Sequence, residues 1–368
     1  ELFDWVADEL GMRRQIPFDF TRSSNWFTKN RSQAEYKDHL FELLKKNDVD
    51  DSIEIAVKKY YDICVIGNWS GHNYGAHLTH YALYQTLTDM DYDVLMVEKP
   101  NQEPFPPLSR PELFFENPYA PGALSKIYDD LSNMRELNDM CNTFVVGSDQ
   151  LWNYEYFGHG MLCYTLSFVN GEKRKVSYAT SLGESGYNCP REHKEKMRYF
   201  LKRFDRISVR EISGAKTCRE EFNVEAGTVL DPVFLCDSSH FDKMAEKSMV
   251  TVDGDYIFCY VLHPSKRKLE FISKVAETLK LKVICIGDAL TGEKIDYEEI
   301  DFLDKQYVET WLSLIKNSRF VIADSFHAFC FSLIFKKQVL GIYDVGKCAN
   351  RVASLCTILN IKGPFILS

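Results

Sequence analysis

From residue 58 onward, short continuous apolar runs alternate with stretches of helical period. YYDICVIGNW (60–69) reads as a buried strand, YGAHLTHYALYQTL (74–87) as a helix and YDVLMVE (92–98) as a second strand. Apolar runs without alternation are what parallel strands covered on both faces require. NTFVVGSDQ, KVSYATSLG and RISVRE supply three more strands, with helical stretches expected near 123–139, 190–203 and 212–222. GTVLDPVFL (227–235) closes this series, its proline excluding a central strand. A second series follows: strands DYIFCYVL, KVICIG, RFVIADS and QVLGIY, with helices expected over 265–279, 306–317, 327–335 and 347–359.

The pattern predicts an α/β chain with two doubly wound, Rossmann-type domains. The boundaries fall at 58–237 and 238–368, with the last helix packing back. Residues 1–57 are polar and aromatic-rich; SQAEYKDHLFELLKK (32–46) has helical spacing, so this part is expected to be a mostly helical extension. The proline-rich 100–122 reads as a long loop. In doubly wound folds ligands bind outside the carboxyl ends of the strands, so the site is expected in the cleft between the domains.

Polar clusters interrupt the apolar runs at those strand ends. After the first strand come Asn68, Asn73 and Tyr74, with glycines that admit a ligand close to backbone; a capped turn is the alternative. Ser148, Asp149, Gln150, Trp152 and Asn153 follow the third strand. Amides, a hydroxyl and an acid bond to sugar hydroxyls, and a Trp face packs on a sugar ring; a helix cap with a core Trp explains the same residues. Ser181 and Gly183 end a further strand. Arg210, at the end of RISV, suits a carboxylate or phosphate, or else pairs with Glu211 or another acid. Asp324, Ser325 and His327 mark the turn from strand to helix late in the chain. A protonated imidazole in a first helical turn needs a compensating negative charge, for which Asp324 or a bound phosphate is the candidate.

Composition narrows the classes. The chain is 368 residues, 45% hydrophobic, ample for two cores. Its 44 basic against 53 acidic residues give a net charge of −9, which argues against nucleic acid as partner. The 11 cysteines form no CxxC and several lie in apolar runs, so neither a disulfide framework nor a zinc site is expected. The spacing of His72, His77 and His80 does not make a metal pair, and no metal is expected. There is no GxSxG, and Cys330 lacks a neighbouring base. The charged first residues do not read as a signal peptide, and no apolar run is long enough to span a bilayer. The expected location is cytoplasmic, including peripheral association at the inner face of the membrane.

NYGAHLTHYALYQTL, FVVGSDQLWN, VSYATSLG, ISVRE, VLDPVFL and FVIADSFHAFCFSLIFKK occur in this order. Together they resemble the polysaccharide pyruvyl transferase family over about residues 60–360. The resemblance implies a GT-B-like fold and transfer of a pyruvyl group from phosphoenolpyruvate to two hydroxyls of a saccharide as a ketal. The implied acceptor is a lipid- or nucleotide-linked saccharide of capsule, exopolysaccharide or cell-wall synthesis, with no cofactor beyond the phosphoenolpyruvate co-substrate. His327 matches the family's catalytic histidine, and Asp149 is the expected base. Arg210, Ser181, Gly183 and Ser325 fall on the donor side. Many members carry arginine where this chain has Ser325, so Arg319, Lys316 or Arg351 is expected to supply that charge. A GT-B glycosyltransferase using a nucleotide sugar and a non-catalytic saccharide-binding homologue are the alternatives.

Overall fold

In strand β1 (Tyr61–Gly67) only Asp62 is exposed, as a strand with helices over both faces demands. The computed structural model describes residues 60–69, 73–98, 114, 116–128, 130–183, 187–287, 300–303, 306–344, 349–361 and 365–367. The extension expected over 1–57, His72 and most of the loop over 100–122 lie outside these.

β1 is joined by β2 (Val94–Glu98), β3 (Cys141–Val146), β4 (Arg174–Thr180), β5 (Arg206–Val209) and the two-residue β6 (Gly227–Thr228). All pairs are parallel, in the order β2-β1-β3-β4-β5-β6. The second sheet holds β7 (Tyr256–Val261), β8 (Lys282–Gly287), β9 (Ile300–Leu303), β10 (Phe320–Ala323), β11 (Val339–Tyr343) and β12 (Phe365–Leu367). Its order, β12-β11-β10-β7-β8-β9, is again parallel. Read from β9, this is the doubly wound dinucleotide-fold order. The direction of winding reverses between β1 and β3 in the first sheet and between β7 and β10 in the second.

Among the described residues the α-helices of eight residues or more are α1 (Tyr74–Asp89), α2 (Arg191–Leu201), α3 (Ile212–Phe222), α4 (Ser238–Ala245), α5 (Lys266–Leu279), α6 (Val308–Asn317), α7 (Phe326–Ile334) and α8 (Ala349–Ile358). α7 is apolar nearly all round, FHAFCFSLI, with its residues from Phe326 to Ser332 buried. A helix without a polar face has to be enclosed. α7 is: Phe326, Phe329 and Phe331 share one core with Tyr74, Leu78 and Tyr81 of α1 and with Val233 and Cys236. The same core reaches Tyr256, Phe258 and Tyr260 of β7, so α1 of the first unit packs against the second. α8 touches the first unit too, where the Ile212 N–H at the start of α3 donates to Ser354 Oγ (3.3 Å).

Three local expectations are corrected. Over 123–139 only Asn133–Asp139 is helical, as a 3-10 helix. The preceding residues run along the sheet edge, where Met96 N–H donates to Ala123 O (2.7 Å) and Ser125 N–H to Met96 O (3.0 Å). Their backbone groups are paired by the sheet, so nothing favours a helix there. Within 227–235 only Gly227–Thr228 is strand. Pro232 has no N–H for a ladder and instead opens a short 3-10 turn, Pro232–Phe234, capped by Asp231. β9 and β12 were not expected; each is only three or four residues long and gives little periodicity to read.

Candidate functional site

Both reversals of winding end in polar residues. Gly67 and Asn68 end β1 and Ser148 and Asp149 follow β3, while Asp324, Ser325 and His327 follow β10. α7 carries His327 toward α1. Its start is fixed by Ser325, whose Oγ accepts from the Ala328 N–H (3.4 Å). α1 is started in the same way by Asn73, whose Oδ1 accepts from the Ala76 N–H (3.2 Å). The imidazole then lies directly on Gly75, the second residue of α1. A methyl group on Gly75 would stand 2.0 Å from His327 Nδ1, so only glycine leaves room for the ring.

His327 Nε2 faces Asp231, 3.5 Å from Oδ2, with 7% of the histidine side chain exposed and none of the aspartate. Asp231 is held from several sides. Thr79 Oγ1 of α1 donates to its Oδ1 (2.7 Å), as does the Val233 N–H (3.2 Å). Arg210 Nη1 donates to its Oδ2 (2.7 Å), and Ser148 Oγ, which donates to Ala179 O, lies 3.3 Å from the same oxygen. Arg210 also bonds Glu211 through Nε (3.1 Å) and Asp149 through Nη2 (3.2 Å). Its guanidinium lies 4.4 Å from the centre of the Phe326 ring, a cation–π contact from the residue before His327.

Burial would raise the carboxyl of Asp231, but the adjacent His327 imidazole and the charge of Arg210 outweigh it and hold the group well below the ordinary carboxylate range. Asp149 is likewise pushed up by burial and pulled lower overall, mainly by Arg210, with contributions from His327 and Arg351. Arg210 is disfavoured by burial, yet Glu211, Asp231 and Asp149 raise its pKa above the usual value. Three carboxylates thus share one guanidinium and one imidazole edge. Of the three, Asp149 is the most exposed, at 16% of its side chain against 1% for Glu211.

Several expected residues have other work. Trp152 is fully buried, and its Nε1 donates to Tyr164 O (2.8 Å); it is a core residue and presents no face to a sugar. Of its neighbours, Gln150 is partly exposed and Asn153 is buried: Gln150 Oε1 accepts from Asn153 Nδ2 (3.0 Å), and Asn153 Oδ1 caps the turn at Glu155. Tyr74 is buried, stacked on Trp311 with ring centres 5.4 Å apart, and donates to Gln306 O (2.7 Å), so it joins the two units. Asp324 does not compensate His327: its carboxylate accepts from the Leu262 and His263 N–H groups and from Lys268 Nζ (2.9 Å). The acid beside the imidazole is Asp231, from the other unit. Arg319 precedes β10, at the amino end of that strand and exposed, away from the end that carries His327. Lys316 is tied to Asp242 (2.6 Å) and Glu246 (3.7 Å) of α4. Arg351, at the start of α8, is close enough to act on Asp149. Ser181 Oγ accepts from the Gly183 N–H (3.1 Å), and the Ser181 backbone bonds the 149–152 turn. Gly183 has a φ of +90°, and a side chain there would strike Asn153. Asn68 is partly exposed beside Gly67.

Asp231, Thr79, Gly75 and Glu211 complete the cluster and were not among the expected site residues. Asp231 stands in VLDPVFL, where the proline drew attention to the strand and away from the acid before it. Thr79 and Gly75 look like ordinary members of an apolar helix, and only the arrival of α7 on α1 gives them a role.

The family model described as polysaccharide pyruvyl transferase matches residues 73–344. No curated protein matches the chain in sequence. Among solved structures, UDP-GlcNAc 2-epimerase from Methanocaldococcus jannaschii aligns with a TM-score of 0.53 at 13% identity, over 83% of this chain and 88% of that one. UDP-N-acetylglucosamine 2-epimerase from Rickettsia bellii aligns at 0.48 and 10% identity, over 82% and 88%. The wall teichoic acid polymerase TagF aligns at 0.44 and 12%, over 76% and 69%. With the two parallel sheets described above, the fold is of the two-domain GT-B type.

Proposed function

This chain belongs to the polysaccharide pyruvyl transferase family, and on that premise we propose that it moves a pyruvyl group from phosphoenolpyruvate to two hydroxyls of a saccharide, closing a ketal. The single observation that carries the reading is His327, buried at the end of β10 with Nε2 3.5 Å from Asp231 Oδ2. A protonated imidazole beside a fixed carboxylate is a general acid at neutral pH. In this reading His327 protonates the methylene carbon of the donor, and Asp231 is the positioning residue that faces the ring.

Arg210 is the proposed contact for the donor's carboxylate. It is saturated by acids, so an incoming carboxylate has to replace one of them. Asp149 is the one to yield, being the most exposed and the most distant at 3.2 Å. Release from Arg210 would leave Asp149 free to accept from a sugar hydroxyl, as its expected role as base requires. Ser325, Ser181, Gly183 and Arg351 line the donor side of this proposal. Asn68 and Gln150, both partly exposed, are the polar groups proposed for the acceptor, with the buried Asn153 holding Gln150. Arg319 is withdrawn as a donor contact, and Trp152 and Tyr74 as faces for the acceptor sugar. The acceptor is proposed to be a lipid- or nucleotide-linked saccharide of capsule, exopolysaccharide or cell-wall synthesis, met at the cytoplasmic face of a membrane. Among the described residues no helix is long and apolar enough to cross one.

The test is a donor assay. Phosphoenolpyruvate with a saccharide acceptor is expected to release inorganic phosphate and add a pyruvyl mass to the acceptor. Release of a nucleotide from a nucleotide sugar, with phosphoenolpyruvate untouched, would replace this reading by glycosyl transfer.

A further inference from the structure

A second histidine lies within electrostatic reach of the same acids. His80, one turn after Ala76 on α1, is fully buried. Its Nδ1 lies 2.6 Å from Ala76 O, which assigns the ring proton to Nδ1 and leaves Nε2 as a bare acceptor. Among the described residues Nε2 has no hydrogen-bond partner. A buried acceptor left unsatisfied is costly, so it calls for a donor. The ring is seated as His327 is. It lies on a glycine, Gly67 at the end of β1, where a methyl group would stand 2.2 Å from Nε2. The Trp69 ring packs beside it at 5.0 Å. Asp149, Asp231 and His327 all act on it electrostatically, and burial dominates to keep its pKa below the ordinary histidine value.

Ketal formation from phosphoenolpyruvate moves two protons. Two hydroxyls each lose one; the methylene carbon takes one and the departing phosphate takes the other. His327 and Asp149 account for part of this.

We propose, resting on the pyruvyl-transfer reading above, that His80 is a second proton-transfer residue whose Nε2 accepts the proton of the hydroxyl that attacks first. His327 gives its proton to the methylene carbon, and the first hydroxyl oxygen bonds to the central carbon as its proton passes to His80 Nε2. The carbon–oxygen bond to phosphate then breaks, the electron pair leaving with the phosphate, which takes the proton back from His80. The second hydroxyl closes the ketal, and its proton, taken by Asp149, is exchanged to His327. Each residue ends in the state in which it began.

The experiment compares the wild-type chain with His80→Gln, which keeps a polar side chain that does not titrate. With phosphoenolpyruvate and acceptor, His80→Gln is expected to lose about 10²-fold or more in turnover. Phosphoenolpyruvate binding should change little, and the open adduct carrying both phosphate and one sugar oxygen should not build up, as followed by mass. Turnover within threefold of wild type overturns the proposal, as does build-up of the adduct in a variant that melts like the wild type, because the first attack would then not need His80. A second measurement needs neither the variant nor the donor. In ¹⁵N-histidine-labelled wild type, methyl hexopyranosides are titrated in, and the His80 Nε2 resonance should move as a hydroxyl donates to it. An unmoved resonance under saturating saccharide also overturns the proposal. If wild type releases no phosphate while the His80 resonance responds, the donor reading fails and the hydroxyl contact stands.

Discussion

Replacing Gly75 by alanine tests how the catalytic histidine is seated. The new methyl carbon would stand 2.0 Å from His327 Nδ1, 2.4 Å from Cγ and 2.8 Å from Cβ, whereas ordinary contact begins at 3.4 Å. The ring, or α7 with it, must retreat by roughly 1.4 Å at Nδ1. α7 cannot follow easily, because Phe329 and Phe331 pack into the same core as Trp311. The movement therefore falls on the imidazole and opens the 3.5 Å approach to Asp231. A misplacement of about 1 Å in a catalytic group costs on the order of 10² in rate. Stability should change far less. Alanine favours the helix by about 0.5–1 kcal/mol and overpacking costs about 1–3 kcal/mol, so the two partly offset. The assay is phosphate release under saturating phosphoenolpyruvate, with a thermal melt followed by circular dichroism. A roughly 100-fold loss of turnover with a near-native melt is expected. Turnover within threefold of wild type would refute the seating of His327 on Gly75.

Acid should unfold the protein through the buried acids: Asp231 and Asp149 have folded values below the ordinary 3.8, so their stabilisation is full above that pH and is lost as pH falls through the lower folded values. In Asp231→Asn, urea titrations at neutral pH should show a loss of roughly 3–5 kcal/mol, because Arg210 keeps its charge without its shortest partner, and the acid limb should flatten. Trp152→Phe should lower the melting temperature by removing the Nε1 bond to Tyr164 O while leaving the KM for acceptor unchanged; a raised acceptor KM would return the indole to the binding face. Asp324→Asn should destabilise the chain by about 1–3 kcal/mol through Lys268, yet leave the pH profile of turnover where it was, since this acid does not touch His327.

The sheets were legible because parallel strands enclosed on both faces have no polar positions to hide them: DYIFCYVL and KVICIG differ from their surroundings over their whole length. The polar clusters at the strand ends were legible for the same reason, as interruptions of those runs. What each cluster does was not. Arg210 could be read as a donor contact or as a paired ion, and only the folded distances put Asp231, Glu211 and Asp149 all around it. Asp231 lies 96 residues before His327 in the chain and meets it only because α7 docks on α1 and on the Pro232–Phe234 turn. Thr79 carries no local signal, and Gly75 signals only that something approaches its backbone; what does so is a helix that arrives some 250 residues later. Trp152 misled in the opposite sense. Its polar neighbours, Gln150 and Asn153, bond each other and Asn153 caps the following turn, while the indole between them fills the core.

The central claim is that His327 drives transfer of a pyruvyl group, and one comparison tests it most directly. The wild-type chain and His327→Ala are incubated with phosphoenolpyruvate labelled with ¹³C at its central carbon and a saccharide acceptor. Phosphate release and the ¹³C signal of the ketal carbon are followed together. The account predicts phosphate and ketal in equal amounts from wild type, and neither from His327→Ala although that variant remains folded. Undiminished ketal formation by the alanine variant would contradict it.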